Sequence, residues 1–313
     1  MTSPHLPKHK AEKLLKRATY ASVFTAAVLI VVKAFAWVFT GSVAVLASLL
    51  DSLMDAGASL INLMAVRYSL QPADQEHRFG HGKAESVAGL AQSMFIAGSG
   101  VFLLLEAIDR IIKPQPIEDI AIGIGIMAFS IVATLLLISY QLYVVKKTGS
   151  MAIKADALHY KTDLFTNAAI IVALFLTQYG WGHIDPIFAI AIGGYILYSA
   201  WEIGSESFHQ LLDRELPDEQ RQQIKDIIGQ HPKILGFHDL RTRQSGRMQI
   251  IQMHLEMEDK LILVDAHTIS DEVEASLIKA FPNAEIVIHQ DPISATNVEK
   301  SETNKLIPKN MEL

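Results

Sequence analysis

Six apolar runs, near residues 18–39, 43–66, 86–112, 120–145, 155–180 and 186–208, constrain this 313-residue chain more than any other feature. Each is about 20 residues or longer, the length a helix needs to cross roughly 30 Å of hydrocarbon. No water in that layer can satisfy a backbone N–H or C=O, so each run reads as a transmembrane α-helix. Composition agrees: 50% apolar residues, 19% charged residues and a mean hydropathy of +0.26 are too hydrophobic for an ordinary soluble protein of this size. The first run follows a basic segment (Lys8, Lys10, Lys13, Lys16, Arg17) in the manner of a signal peptide. Its 22 residues are long for that purpose, and Trp37-Val-Phe-Thr-Gly-Ser offers no clean cleavage site, so it is expected to remain as the first span.

Six spans place both termini on one side. Lys and Arg number eleven in the N-terminal arm and the 67–84 and 146–154 loops, against two (Arg110, Lys113) in the alternate connections, which predicts cytosolic termini. Lys33, inside the first span beside Trp37, is expected to snorkel toward the outer interface.

From about residue 209 the chain turns into short, charged elements: a helix over 217–230, strands over 236–242 and 248–256 joined by Gln244-Ser-Gly246, a helix over 264–280 and a strand over 285–289. That αββαβ order suggests a small split-βαβ, ferredoxin-like α+β domain. The expected division is an N-terminal arm over 1–17, a six-helix membrane domain over 18–208, the cytoplasmic domain over 209–295 and a disordered tail over 296–313.

Residues 209–295 hold 15 acidic against 9 basic residues, while the rest of the chain is balanced. No clustered basic face exists to release counterions from a polyanion, which argues against nucleic-acid binding. Cysteine is absent, so thiolate zinc sites, iron–sulfur clusters and Cys nucleophiles are excluded. Any borderline metal must be held by His and carboxylate.

Such residues occur where they are expensive. Asp51 and Asp55 lie in the second span, and His159 and Asp163 in the fifth. Each pair is spaced i, i+4 and so shares one helix face. A charge in hydrocarbon costs at least about 2.5 kcal/mol, and these groups therefore demand partners. Counted from the cytoplasmic ends of their spans, the two pairs reach comparable depth. One imidazole and three carboxylates would make a tetrahedral site for zinc, cadmium, iron(II) or manganese. Helix–helix hydrogen bonding, as for Asn62, Gln92 and Asn167, and a proton-only relay are the competing explanations. Asp74, His77 and His81, in the 67–84 loop, form either a second site or a solvated polar cluster. His238, His254, His267, His289 and Asp291 form a third set in the C-terminal domain, dense in His for 54 residues, and Asp291 has the two oxygens needed to bridge two ions.

Longer motifs surround these residues: Asp51-Ser-Leu-Met-Asp55, Arg67-Tyr-Ser-Leu-Gln-Pro-Ala-Asp74, His77-Arg-Phe-Gly-His81-Gly-Lys83-Ala-Glu85-Ser, Leu158-His159-Tyr-Lys-Thr-Asp163, Leu212-Asp213-Arg214, His238-Asp-Leu-Arg-Thr-Arg-Gln-Ser-Gly and Ile288-His289-Gln-Asp291-Pro. From about residue 17 to 294 the chain resembles the cation diffusion facilitator family. The resemblance implies a homodimer in a bacterial inner membrane that exchanges a divalent cation for protons, with zinc as transported and regulatory ion and iron(II) or cadmium as further cargo. It assigns the transport site to Asp51, Asp55, His159 and Asp163, a loop site to Asp74, His77 and His81, and a binuclear site to His238, His254, His267, His289 and Asp291. It also implies a charge interlock between subunits through Lys83 and Asp213. Rival functions are fewer. An intramembrane metalloprotease would need a His-Glu-x-x-His helix, which is absent. A channel would ignore a proton gradient, and a membrane-anchored metal sensor would not need charges within its spans.

Overall fold

The computed structural model describes residues 7–40, 43–112, 120–178 and 185–295. The 113–119 and 179–184 connections and the tail expected over 296–313 lie outside the described residues. The chain divides into two units, Met1–Leu211 and Leu212–Leu313.

Among the described residues the first unit holds six long helices: α1 (Lys8–Thr40), α2 (Val43–Ser69), α3 (Ala84–Ile112), α4 (Ile120–Thr148), α5 (Met151–Gln178) and α6 (Asp185–Leu211). Among the described residues α1 to α4 each carry an apolar stretch long enough to cross a membrane. α5 is interrupted by Lys154, Asp156, His159, Lys161 and Asp163, residues that place chemistry inside the bundle. Large apolar side chains such as Phe24, Phe35, Met64, Phe102 and Trp201 point outward, the pattern of a bundle whose solvent is lipid.

α1 is helical from Lys8, ten residues before its apolar run begins. Ala11, Leu15 and Ala18 recur at i, i+4 and i+7 and are buried; Leu15 and Ala18 pack with Val66, Ala88, Val144, Ala152 and Ile153 from four other helices. Burial of one face therefore extends the helix through the basic stretch. α3 and α6 approach closely through small residues: a Cβ on Gly100 would lie 2.8 Å from Ile196 Cγ2, and one on Gly193 would lie 2.7 Å from Leu104 Cδ2.

The second unit comprises α7 (Asp218–Gly229), β1 (Gly236–Ser245), β2 (Met248–Met257), α8 (Leu263–Ala280) and β3 (Ala284–Pro292). Asp218 and Glu219 favour the positive end of the α7 dipole. Alternation on β2 turns Ile251, Met253, Leu255 and Met257 toward Ile224 and Ile228 of α7 and Ile269, Val273 and Leu277 of α8, forming a single apolar core. The β1–β2 strands run further than the sequence pattern indicated, Ser245 pairing with Met248, and the reversal falls at Gly246-Arg247 with Gly246 at a φ of 58°. β2 is antiparallel to β1 and parallel to β3, and the strand order is β1-β2-β3. The β2-α8-β3 unit joins neighbouring strands, so it is closed and not split as the αββαβ order had suggested.

Candidate metal centres

Among the described residues, three groups of side chains bring ligand atoms within 4.8 Å of one another: Asp55, His159 and Asp163; Asp74, His77 and His81; and His238, His254 and Asp291.

In the membrane unit, α2 supplies Asp55 and α5 supplies His159 and Asp163 one turn apart. His159 Nε2 lies 3.1 Å from Asp55 Oδ1 and 4.0 Å from Asp163 Oδ2. Asp55 and His159 are 8% and 7% exposed, and Asp163 Oδ2 is buried without a hydrogen-bond partner. A carboxylate oxygen in that state is stable only opposite a cation or a proton. Asp51 is one turn nearer the α1–α2 connection, is exposed and stands apart from the three-residue cluster.

Two groups near this site escaped the sequence pattern. Lys33 does not snorkel. It is 6% exposed, and its ammonium turns inward to donate to the Ser48 carbonyl at 3.1 Å and the Ser52 hydroxyl at 2.7 Å on α2. These polar partners on α2 satisfy the ammonium within the helix pair, and they override the usual preference of an end-of-span lysine. Asp156, one turn from His159, is 0% exposed. It accepts hydrogen bonds from Ser22 of α1, from Gln92 of α3 at 3.3 Å and from Gln141 of α4 at 2.6 Å. Three donors around one carboxylate tie four helices together.

In the loop, Asp74 Oδ1 accepts the backbone N–H groups of Glu76 at 2.9 Å and His77 at 2.6 Å, and Oδ2 lies 3.2 Å from His81 Nε2. The backbone N–H of His77, helped by that of Glu76, holds the Asp74 carboxyl below the usual carboxylate range. Because the folded value is the lower one, this turn is fully formed above the ordinary range and is lost only as pH falls through the lowered value. His81 is not solvated: it is buried, its ring stacks edge-on against Tyr68 at 4.5 Å, and its Nδ1 has no hydrogen-bond partner.

In the second unit the strand register builds the site. His238 pairs with His254 across β1–β2, and His254 pairs with His289 across β2–β3, so three imidazoles form one row on the sheet face opposite the core. Two residues further along, Asp291 offers Oδ2 to His254 Nδ1 at 2.8 Å and to His238 Nε2 at 3.4 Å, and Oδ1 to His289 Nε2 at 3.1 Å. Glu256, which was not anticipated, lies 3.0 Å from His238 Nδ1. Its i, i+2 relation to His254 was the available signal. Gly236 leaves room for it, since a Cβ there would lie 2.5 Å from Glu256 Oε2. His267 is not part of the row; it is exposed on α8, 3.5 Å from Asp271.

The two residues expected at a subunit interlock each have a partner in their own unit. Lys83 donates to the Leu211 carbonyl at 3.3 Å, and Asp213 lies 3.2 Å from Arg243.

A family model described as the cation efflux transmembrane domain matches residues 19–212, and one described as the cation efflux protein cytoplasmic domain matches residues 216–293. The chain belongs to the cation efflux family. The family expectation drawn from the motifs is borne out, as is the architecture of a multi-pass membrane domain followed by a small α+β domain. The cation-efflux pump FieF of Salmonella schwarzengrund (strain CVM19633) is 53% identical over 287 residues, covering 92% of this chain and 96% of the pump. FieF of Salmonella typhimurium (strain LT2) is 54% identical over 282 residues, covering 90% and 94%. Among solved structures, the zinc form of the zinc transporter CzrB is 32% identical, covers 26% of this chain and 92% of that chain, and has a TM-score of 0.25. Along this cation efflux chain, the membrane and loop clusters fall in the first matched segment and the sheet cluster in the second.

Proposed function

We propose that the protein exports a divalent cation from the cytoplasm of a bacterium across its inner membrane, in exchange for protons, by alternating access around Asp51, Asp55, His159 and Asp163. The observation that carries this reading is the unsatisfied Asp163 Oδ2 beside His159 and Asp55, inside the membrane unit. One imidazole with carboxylates favours zinc, with iron(II) and cadmium as further cargo. The 53–54% identical cation-efflux pumps support the same direction of transport. His and Asp bind a metal only when deprotonated, so protons entering from outside compete with the ion for the same atoms and expel it. Asp51 would complete the tetrahedron by a side-chain rotation that brings it off its exposed position.

Both termini would be cytosolic, which places the His238–His254–Asp291 cluster where it samples the cytosolic metal concentration. Metal bound there would offset the acidic charge of that domain and let two copies approach as a homodimer, with Lys83 and Asp213 of opposite subunits joining it at the membrane surface.

His159 is the one nitrogen ligand in the membrane site. His159→Asp makes that site all-oxygen, and competition uptake into vesicles should show the preference for zinc over manganese falling by about tenfold or more, in line with ligand hardness. An unchanged ratio would place His159 outside the ligand shell and remove the support for a zinc site.

A further inference from the structure

Lys33 is a buried charge to which the transport reading gives no task. Ser48, Ser52 and Asp55 recur at i, i+4 and i+7 on α2, one helix face. The ammonium, bonded to the Ser48 carbonyl and Ser52 hydroxyl, therefore lies on the face that presents Asp55 to His159, displaced toward the α1–α2 connection. Asp55 lies one turn beyond Ser52 on that same face of α2. A simple tie between α1 and α2 would not need a cation here. The Ser52 hydroxyl can reach the i−4 carbonyl, that of Ser48, without help, and an ammonium is costly to hold within a span.

We propose that Lys33 sets the affinity of the membrane metal site: a positive charge on the α2 face that carries Asp55, which weakens divalent-cation binding and speeds release toward the α1–α2 side. This rests on the reading that the cargo ion occupies that cluster. Like charges repel whatever the identity of the metal, and the repulsion is strong in a site shielded from water. The charge opposes over-tight binding, which would otherwise trap the ion among three carboxylates and an imidazole.

The test is equilibrium binding of zinc, and separately of cadmium, to the full-length protein in detergent, paired with transport kinetics in vesicles. The binding component lost in Asp163→Ala defines the membrane site. In Lys33→Met, the Kd of that component and the KM should fall by about tenfold, equal to 1.4 kcal/mol, for both metals alike, and kcat should fall as release slows. Lys33→Arg, which keeps the charge, should restore both constants. A merely structural lysine predicts the opposite, weaker binding and a raised KM. Unchanged or weakened binding in folded Lys33→Met overturns the proposal. Lys33→Gln, which retains an N–H donor for the Ser48 carbonyl, replaces it if the methionine variant does not fold. If Asp163→Ala loses no zinc at all, the transport-site reading and this inference fall together. If Asp163→Ala loses zinc and neutral Lys33 variants bind as wild type does, only the role of Lys33 falls.

Discussion

Asp163→Ala should reduce metal transport by at least about 100-fold, beyond the 10–100-fold typical of changes outside the ligand shell. On the proposed transport site the substitution would remove a ligand whose Oδ2 makes no hydrogen bond, and it leaves Asp55 and His159 to each other across 3.1 Å. A bundle that lost only a helix-packing contact would keep most of its rate. His77→Ala is the matched control: that side chain is 49% exposed, and an exposed substitution is worth within about 0.5 kcal/mol, or twofold to threefold in rate. Uptake of radioactive zinc into vesicles decides between them, and near-wild-type transport by Asp163→Ala would exclude a role for the membrane cluster.

The second large effect concerns stability. Asp156→Ala strips the acceptor from Ser22, Gln92 and Gln141, and each buried donor left unmade costs about 1–3 kcal/mol. A fall in the melting temperature of the purified protein should follow, by clearly more than for Asp156→Asn. In Asp156→Asn one oxygen survives, and Gln92 Oε1 and Gln141 Oε1, both buried without a partner, can turn to accept from the new amide. Equal melting temperatures for the two variants would contradict this account of the hydrogen-bonded hub. The readout is thermal unfolding in detergent, independent of transport.

These two residues also mark what could be read without coordinates. Asp163 was legible because i, i+4 pairing within two apolar spans is a local pattern, and helix geometry alone converts it into a shared face. The row of His238, His254 and His289 was legible in composition but not in register, which depends on strand pairing across some 50 residues of chain. His267 shared the composition and not the row, because it sits on a helix. Asp156 and Lys33 were missed or misread for a single physical reason. A lone charge near the end of a span can face lipid, interface or bundle, and its direction is set by donors and acceptors on other helices: Gln92 and Gln141 for the first, Ser48 and Ser52 for the second. The helical start of α1 at Lys8 has the same origin, since Leu15 gains its stability from Val66, Val144 and Ile153 and not from its neighbours in sequence.

Coupling of metal to protons is the central claim, and metal-driven proton flux measures it most directly. Protein reconstituted into sealed vesicles carrying an internal pH dye should, on addition of a zinc gradient, move protons in the direction opposite to zinc, and an imposed pH gradient alone should drive zinc uphill. Both signals should vanish in Asp163→Ala. Zinc entry that proceeds at an unchanged rate with no proton counterflow, and that no pH gradient can drive, would contradict exchange and leave a passive pathway in its place.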